Sequence, residues 1–368
     1  MTDSIAASDP LPTAQPTAKK RKVRVGLVGC GKIAQTHALA LSTLDVADWV
    51  ACCDRDGERA QEMAAKYEVP NVFSDLDELL ASGLVEAILC CTPHPVHELV
   101  VVKAANAGVH VLCEKPIATT IGEADRMIAA TDEAGVKFGV IFQRRFWPAA
   151  QRIRKAIDDG KLGNLTLGEC TVRLWRGPDY FALDPWRGKW ATEGGGILMN
   201  QAVHSIDHFQ WFMGRAVEVY GKYATLRHGA YIDVEDTAAA TILFENGALG
   251  VLQATSTFQP AFGFRVAVHG DSGAAVSMWE RNEGELGVND LWSIPGEGEL
   301  REQWFQEDDG IMGFPQFHIA QIGDFLEAVR DDRDPAVTGK EARKSLEIIL
   351  AIYESSRTGL PVKLPLTA

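Results

Sequence analysis

Val23-Arg-Val-Gly-Leu-Val-Gly29-Cys-Gly31-Lys-Ile-Ala34-Gln-Thr-His37 is the stretch on which the fold turns. A Val-rich apolar run passes through Gly-x-Gly-x-x-Ala into a helical pattern, the layout of a turn that binds a dinucleotide. Gly29 permits the tight turn out of the strand, and Gly31 lets the backbone approach a pyrophosphate with no Cβ in the way. Ala34 allows the helix to pack closely on a sheet. The pyrophosphate is then expected on the free N–H groups of the helix N-terminus, where the helix dipole favours negative charge. Lys32 and Ile33, inside the same turn, join Gly29 and Gly31 as expected cofactor contacts. A second apolar run, Trp49-Val-Ala-Cys-Cys53, ends in Asp54. That is about 20 residues further on, where an acid hydrogen-bonds an adenosine ribose. NAD is expected over NADP, because Asp54 repels a 2′-phosphate and Arg55 beside it offsets that repulsion only in part.

Outward from this turn, helix and strand patterns alternate. Helices are expected at Glu58–Tyr67, after Ser74-Asp-Leu-Asp77, at Glu98–Ala107 and at Ile121–Ala134. Strands are expected at Val69–Phe73, Val85–Cys91, Val109–Cys113 and Lys137–Phe142. Strands alternating with helices imply a parallel, doubly wound sheet, whose ligands lie beyond the carboxyl ends of the strands. Asp54, Thr92, Pro93, His97, Glu114 and Lys115 all fall at such ends.

The chain has 368 residues, 46% hydrophobic and 23% charged, enough for two domains with a sizeable core in each. A net charge of −14 argues against nucleic-acid binding, which needs a basic stripe. Residues 1–22 lack a hydrophobic pattern and end in Lys19-Lys20-Arg21-Lys22, so a disordered tail is expected there. The basic run superficially matches a nuclear-localisation patch, but such short patches arise by chance. No apolar segment reads as a secretory signal or a membrane span. Seven cysteines without a Cys-x-x-Cys pair, mostly inside predicted strands, point to reduced buried thiols and a cytoplasmic setting.

After Glu114-Lys115-Pro116 the pattern becomes specific. Gly-x-Gly-x-x-Ala, then Thr92-Pro-x-x-x-His97, then Glu-Lys-Pro, then Gly194-Gly-Gly196 with His204 downstream, resembles the glucose–fructose oxidoreductase, inositol dehydrogenase and rhizopine-catabolism (Gfo/Idh/MocA) family. The likeness covers residues 23–366. It implies an N-terminal Rossmann domain (23–143), and a C-terminal α/β domain (144–368) with a large open, mostly antiparallel sheet. It also implies NAD(P)-dependent chemistry on sugars or cyclitols, and a last helix that packs back on the first domain. In that pattern an Asp precedes the His that serves as general base. His204 matches, whereas Asn200 departs, and an amide orients a hydroxyl but carries no proton. Lys115, by the same resemblance, holds a substrate hydroxyl next to the nicotinamide, with a lowered pKa. Pro116 is expected to fix the turn after it.

In the second domain Gln143-Arg144-Arg145 opens the crossover, a helix is expected at Ala149–Asp159, and Leu165–Trp175 alternates as a strand. Trp175, Arg176, Tyr180, Trp186 and Arg187 follow in one stretch. Aromatic faces suit a pyranose and guanidinium planes suit hydroxyls or an anion, against the plain alternative of a loop packed on itself. With Arg144, Arg145 and His318 they are the expected substrate contacts, and Lys115, His204 and Asn200 the expected catalytic ones. His204-Ser-Ile-Asp207-His208 has the look of a metal motif, but a third ligand in a known place is lacking. No metal is therefore expected. Further strands are expected at Val217–Leu226, Asp236–Phe244, Ala248–Thr257, Phe264–His269 and Ala274–Trp279, with Asn246-Gly247 as a hairpin turn. The strand-rich region is expected to form a homodimer or homotetramer surface. Residues 281–310 read as acidic and irregular, and helices are expected at 318–330 and 340–356.

Three functions fit the residues. The first is an NAD-dependent oxidoreductase acting on a sugar, sugar-acid or cyclitol hydroxyl. The second is a glycosidase of the same fold that oxidises, eliminates and re-reduces. The third is a non-catalytic sugar or nucleotide sensor, which the retention of Lys115 and His204 disfavours.

Overall fold

The computed structural model describes residues 21–367, so the expected tail falls almost wholly outside the described residues. Six short apolar strands form the first sheet: β1 (Val23–Val28), β2 (Ala47–Cys53), β3 (Asn71–Phe73), β4 (Ala87–Cys90), β5 (His110–Cys113) and β6 (Phe138–Val140). Their order is β3-β2-β1-β4-β5-β6, and every pairing is parallel. Strand order reverses between β1 and β4, which opens a crevice at their carboxyl ends. Val28, Cys53, Cys90 and Cys113 lie in register there, so the loops that follow these strands stand side by side. The crossover helices are closed by local chemistry. Asp56 caps Gly57–Tyr67, Asp75 caps Leu76–Ala81, and Thr120 with Glu123 forms a capping box on Ile121–Ala134.

The second sheet comprises β7 (Leu165–Arg173), β8 (Ala216–Ala224), β9 (Thr237–Phe244), β10 (Leu249–Thr255), β11 (Gly263–Gly270), β12 (Ala275–Glu280) and β13 (Val362–Lys363). Its order is β12-β11-β7-β10-β9-β8-β13, with only β7–β10 parallel. Asn246-Gly247 turns β9 into β10, with Gly247 at φ 84°. One face is covered by helices that approach it closely. A Cβ at Gly168 would come within 2.5 Å of the Phe209 ring, so glycine is what lets the Val203–Met213 helix seat there. The other face is open: Leu249 is 58%, Tyr220 42% and Val251 38% exposed.

The two halves share their cores. Ile322, Phe325, Leu326 and Val329, from the Gln316–Arg330 helix, are buried in one cluster with Val25, Leu27, Ala34, Ala38 and Leu41. Gln321 ties the same helix to the first sheet, receiving Phe142 N at 2.9 Å and donating to Val140 O at 2.8 Å. The Gly339–Thr358 helix contributes Ile349 and Ile352 to a cluster that also holds Cys113 and Val140. Thus both closing helices, not the last alone, pack back on the first domain.

Two expectations change. Residues 281–310 contain a helix, Gly298–Asp308, which the sequence barely signals because Glu297 gives it no side-chain cap and no apolar stripe marks it. The helix after Gly194-Gly-Gly196 is not α-helical from its start. Leu198–Ala202 forms a π turn before the α-helix Val203–Met213. Such a widened turn inserts a residue and re-aims side chains, often at functional sites.

Candidate active site

The crevice above β1 and β4 has the shape that a dinucleotide requires. Gly29 sits at φ 87°, and a Cβ there would meet the Cys91 carbonyl carbon and oxygen at 2.8 Å. Gly31 is the opposite case, because nothing lies within 4 Å of where its Cβ would be. That open space over a helix N-terminus is where a pyrophosphate fits. Asp54, at the end of β2, accepts from Cys30 N at 2.8 Å and from Asp56 N at 2.9 Å. Its carboxylate braces the Gly-rich loop and keeps lone pairs for a ribose. The guanidinium nearest it is Arg59, at 3.7 Å, and Arg59, Arg55 and Lys32 are all exposed. Ile33 lines the cleft. Thr92 and Pro93 follow β4, and His97 is buried between loops, Nδ1 3.0 Å from Pro116 O and Nε2 3.0 Å from Thr92 O. His97 therefore pins the loops after β4 and β5 together. Ligand atoms of Cys90, His97 and Cys113 lie within 4.8 Å of one another, but both ring nitrogens of His97 are already engaged by backbone oxygens.

Glu114 and Lys115 leave the end of β5 and divide their tasks. Glu114 is bonded to His37 Nε2 at 2.7 Å and to Lys115 N at 3.2 Å. Despite burial, the His37 bond and the nearby His318 and Lys115 hold its carboxyl down at about 2. Lys115 donates to the backbone oxygen of Asn200 at 2.9 Å, and its following peptide to Pro116 is cis. Burial lowers the Lys115 ammonium to about 8, against the pull of Glu114. His204, one turn beyond Asn200, is buried, and its Nδ1 has no partner among the described residues. Burial, Arg144 and Lys115 push it well below the ordinary histidine value, so it is neutral near pH 7.

These groups face a cleft of about 260 Å³, lined also by Gln143, Arg144, Arg176, Tyr180, Arg187, Gln201, Phe264, Glu280, Glu283, Phe314 and His318. Arg144 pairs with Glu280 at 2.6 Å, Arg176 pairs with Glu283, and Arg187 bonds Asp184 at 2.9 Å and Tyr180 Oη at 2.5 Å. Burial pushes the Glu280 carboxyl up to about 7, which Arg144 only partly offsets. Tyr180 lies between two guanidinium groups, Arg176 at 4.7 Å and Arg187 at 4.6 Å from its ring centre.

Three expected contacts are not in the lining. Arg145 is spent on Asp207 through two bonds of 2.7 Å and on Glu341 at 3.4 Å, so it fastens elements together. Trp175 packs on His228 at 5.2 Å and Trp186 on His94 at 4.9 Å, each supporting the wall from behind. The His-x-x-Asp-His ligands do not converge, because Asp207 holds Arg145 and His208 stacks on Phe212 at 5.6 Å. Conversely, Gln143, Gln201, Phe264, Glu280, Glu283 and Phe314 line the cleft although the sequence does not announce them. Of these Gln143, beside Arg144 at the crossover, and Gln201, beside Asn200, carry a positional hint in the sequence.

A parallel sheet with a glycine-lined nucleotide crevice, and a lysine and a neutral histidine on one adjoining cleft, define an NAD-binding oxidoreductase. Residues 23–142 match the family model described as "Oxidoreductase family, NAD-binding Rossmann fold", and residues 154–364 match "Oxidoreductase family, C-terminal alpha/beta domain". The chain belongs to the Gfo/Idh/MocA oxidoreductase family. It is 28% identical over 348 residues to myo-inositol 2-dehydrogenase of Thermotoga maritima, covering 93% of this chain and 98% of that one. Among solved structures, the WlbA dehydrogenase of Bordetella pertussis in complex with NADH and UDP-GlcNAcA is 32% identical. It covers 95% of this chain and 100% of its own, with a TM-score of 0.86. The WlbA dehydrogenase from Chromobacterium violaceum, with the same two ligands, is 28% identical over 96% of this chain and 99% of its own, with a TM-score of 0.84. No helix among the described residues is long and apolar enough to cross a membrane.

Proposed function

We propose that this enzyme oxidises a secondary hydroxyl of a hexose-like ring carrying an anionic group, passing hydride to NAD. The charge balance of the cleft carries the reading. In a chain of net charge −14, the lining holds four cations, Lys115, Arg144, Arg176 and Arg187, against Glu114, Glu280 and Glu283. Glu114 and Glu283 are held low and ionised while burial pushes Glu280 up to about 7, so the cations of the lining outweigh its carboxylates and the cleft favours an anion. Likeness to a protein solved with UDP-GlcNAcA supports the anionic group, and likeness to a myo-inositol 2-dehydrogenase supports oxidation of a ring hydroxyl.

Bound NAD supplies the hydride acceptor. His204, neutral and lining the cleft, takes the hydroxyl proton. Lys115 holds the same oxygen and offsets the negative charge that develops as the proton leaves. Asn200 orients the hydroxyl. Gln201 and the Tyr180 ring form the wall against the sugar, and Arg144, Arg176 and Arg187 take the anionic group.

The test is a panel of UDP-GlcNAcA, free uronates, aryl glycosides of uronates and of neutral sugars, and neutral polyols, with NADH formation and aglycone release followed in parallel. NADH in proportion to product is expected, with uronates ahead of their neutral counterparts. Aglycone release with no net NADH would establish the redox-neutral glycosidase instead, and equal turnover of neutral polyols would remove the anion requirement.

A further inference from the structure

Asn200 stands in the π turn at the head of the catalytic helix, and its amide does not point at random. Nδ2 donates to Glu193 Oε1, leaving Oδ1 as the acceptor on the other side of the amide. Glu193 closes the four-residue helix Trp190–Glu193 and is 1% exposed. Its second oxygen, Oε2, accepts from Gly188 N at 2.5 Å, just after Arg187. Its backbone oxygen accepts from His94 Nδ1 at 3.2 Å, after β4. Meanwhile Asn200 O accepts from Lys115 Nζ at 2.9 Å. A single buried glutamate therefore touches the Arg187 loop, the nucleotide domain and the residue to which Lys115 is tied.

We propose that Glu193 is a positioning residue for the oxidation: it locks the Asn200 amide so that Oδ1 serves as a fixed acceptor for a substrate hydroxyl, and it sets the Arg187 loop in the same stroke. The proposal rests on the dehydrogenase reading. An amide has two ends of nearly equal shape, and only a partner that can solely accept decides which end faces the cleft. An ionised carboxylate is that partner.

Exchanging the two chemistries tests it. Asn200→Asp sets two carboxylates against each other in a buried place, which both cannot occupy ionised. The charged and titratable groups around Glu193 are His94, Lys115, Arg187, Tyr180 and Tyr353, with Glu235 behind them on Gly196 N, Leu198 N and Tyr353 Oη. Burial pushes Glu235 up to about 7, and because it is present in every variant its titration is common to all of them. Asn200→Asp is expected to lower kcat about 10- to 100-fold at pH 8, with NAD affinity unchanged. It should recover toward acid pH, where one shared proton restores a hydrogen bond. The double variant Glu193→Gln/Asn200→Asp should regain most of the rate and lose that pH dependence. In it the amide oxygen at position 193 accepts from Gly188 N, and the amide nitrogen donates to the carboxylate at position 200, whose other oxygen faces the cleft.

Thermal unfolding of the two single variants and the double variant, which needs no substrate, measures the coupling between positions 193 and 200. Additive losses in the melts would overturn the pair, and Asn200→Asp at the wild-type rate would overturn the positioning role. A wild-type protein that turns over no compound of the panel would instead overturn the dehydrogenase reading, while the melts still decide the pair.

Discussion

In the oxidation proposed above, His204 and Lys115 act as a pair whose ionisations burial moves in the same direction. A base must be neutral to accept a proton, and His204 is held well below the ordinary value of about 6.5 by burial and by Arg144 and Lys115. The acid limb of kcat/KM should therefore fall well below pH 6.5. Lys115 must be cationic to stabilise a developing alkoxide, and burial lowers it to about 8, so the alkaline limb should fall near there. Lys115→Arg should push the alkaline limb upward, because a guanidinium stays charged. His204→Ala and Lys115→Ala should each lower kcat by about 10²–10⁴-fold with NAD affinity nearly unchanged. Near-normal turnover in either would remove that residue from the mechanism. Stability carries the matching sign. A histidine depressed in the folded state favours folding above the unfolded value of about 6.5, and the advantage is lost as pH falls toward the folded pKa. Asp54→Ser should weaken NAD about tenfold or more, for a charged hydrogen bond of roughly 1.5–3 kcal/mol. Titration with NADP then shows whether Arg59 accommodates a 2′-phosphate, tighter NADP binding being the result against Asp54.

The Gly-rich turn offers a sharper contrast between neighbouring positions. Gly29 is at φ 87° with Cys91 backbone at 2.8 Å from a would-be Cβ, so Gly29→Ala should destabilise the fold itself. Gly31 has nothing within 4 Å, so Gly31→Ala should keep its melting temperature yet lose NAD affinity, its methyl occupying the pyrophosphate's space. Melting curves with and without NAD distinguish the two. This turn was legible because its requirements are local: residue size and φ along a few positions. The cleft wall was legible on one contiguous segment, at Arg176, Tyr180 and Arg187, and at two isolated positions, Arg144 and His318. Glu280 and Glu283 reach the cleft through the end of the β11–β12 hairpin, and no sequence spacing announces that. Arg145 misled for the same reason: its partners Asp207 and Glu341 lie 62 and 196 residues away. The π turn was equally silent, since its sequence reads as an ordinary buried helix.

At the scale of the molecule, the open face of the second sheet asks for a cover. Leu249 and Val251 of β10 and Tyr220 of β8 stand exposed on one face, on either side of β9, and we propose a second copy of the chain as the cover. Sedimentation should find a dimer or tetramer, and Leu249→Lys with Val251→Lys should dissociate it without loss of secondary structure. A wild-type monomer at micromolar concentration would contradict this. The return of the Gln316–Arg330 helix to the first sheet has a different consequence, one for biosynthesis. The nucleotide-binding half leaves the ribosome first, yet Ile322, Phe325, Leu326 and Val329, which pack with Ala34, Ala38 and Leu41, are made about 280 residues later. During that interval the young chain presents a bare apolar flank and must be sheltered, by chaperones or by slow handling, until its own tail arrives.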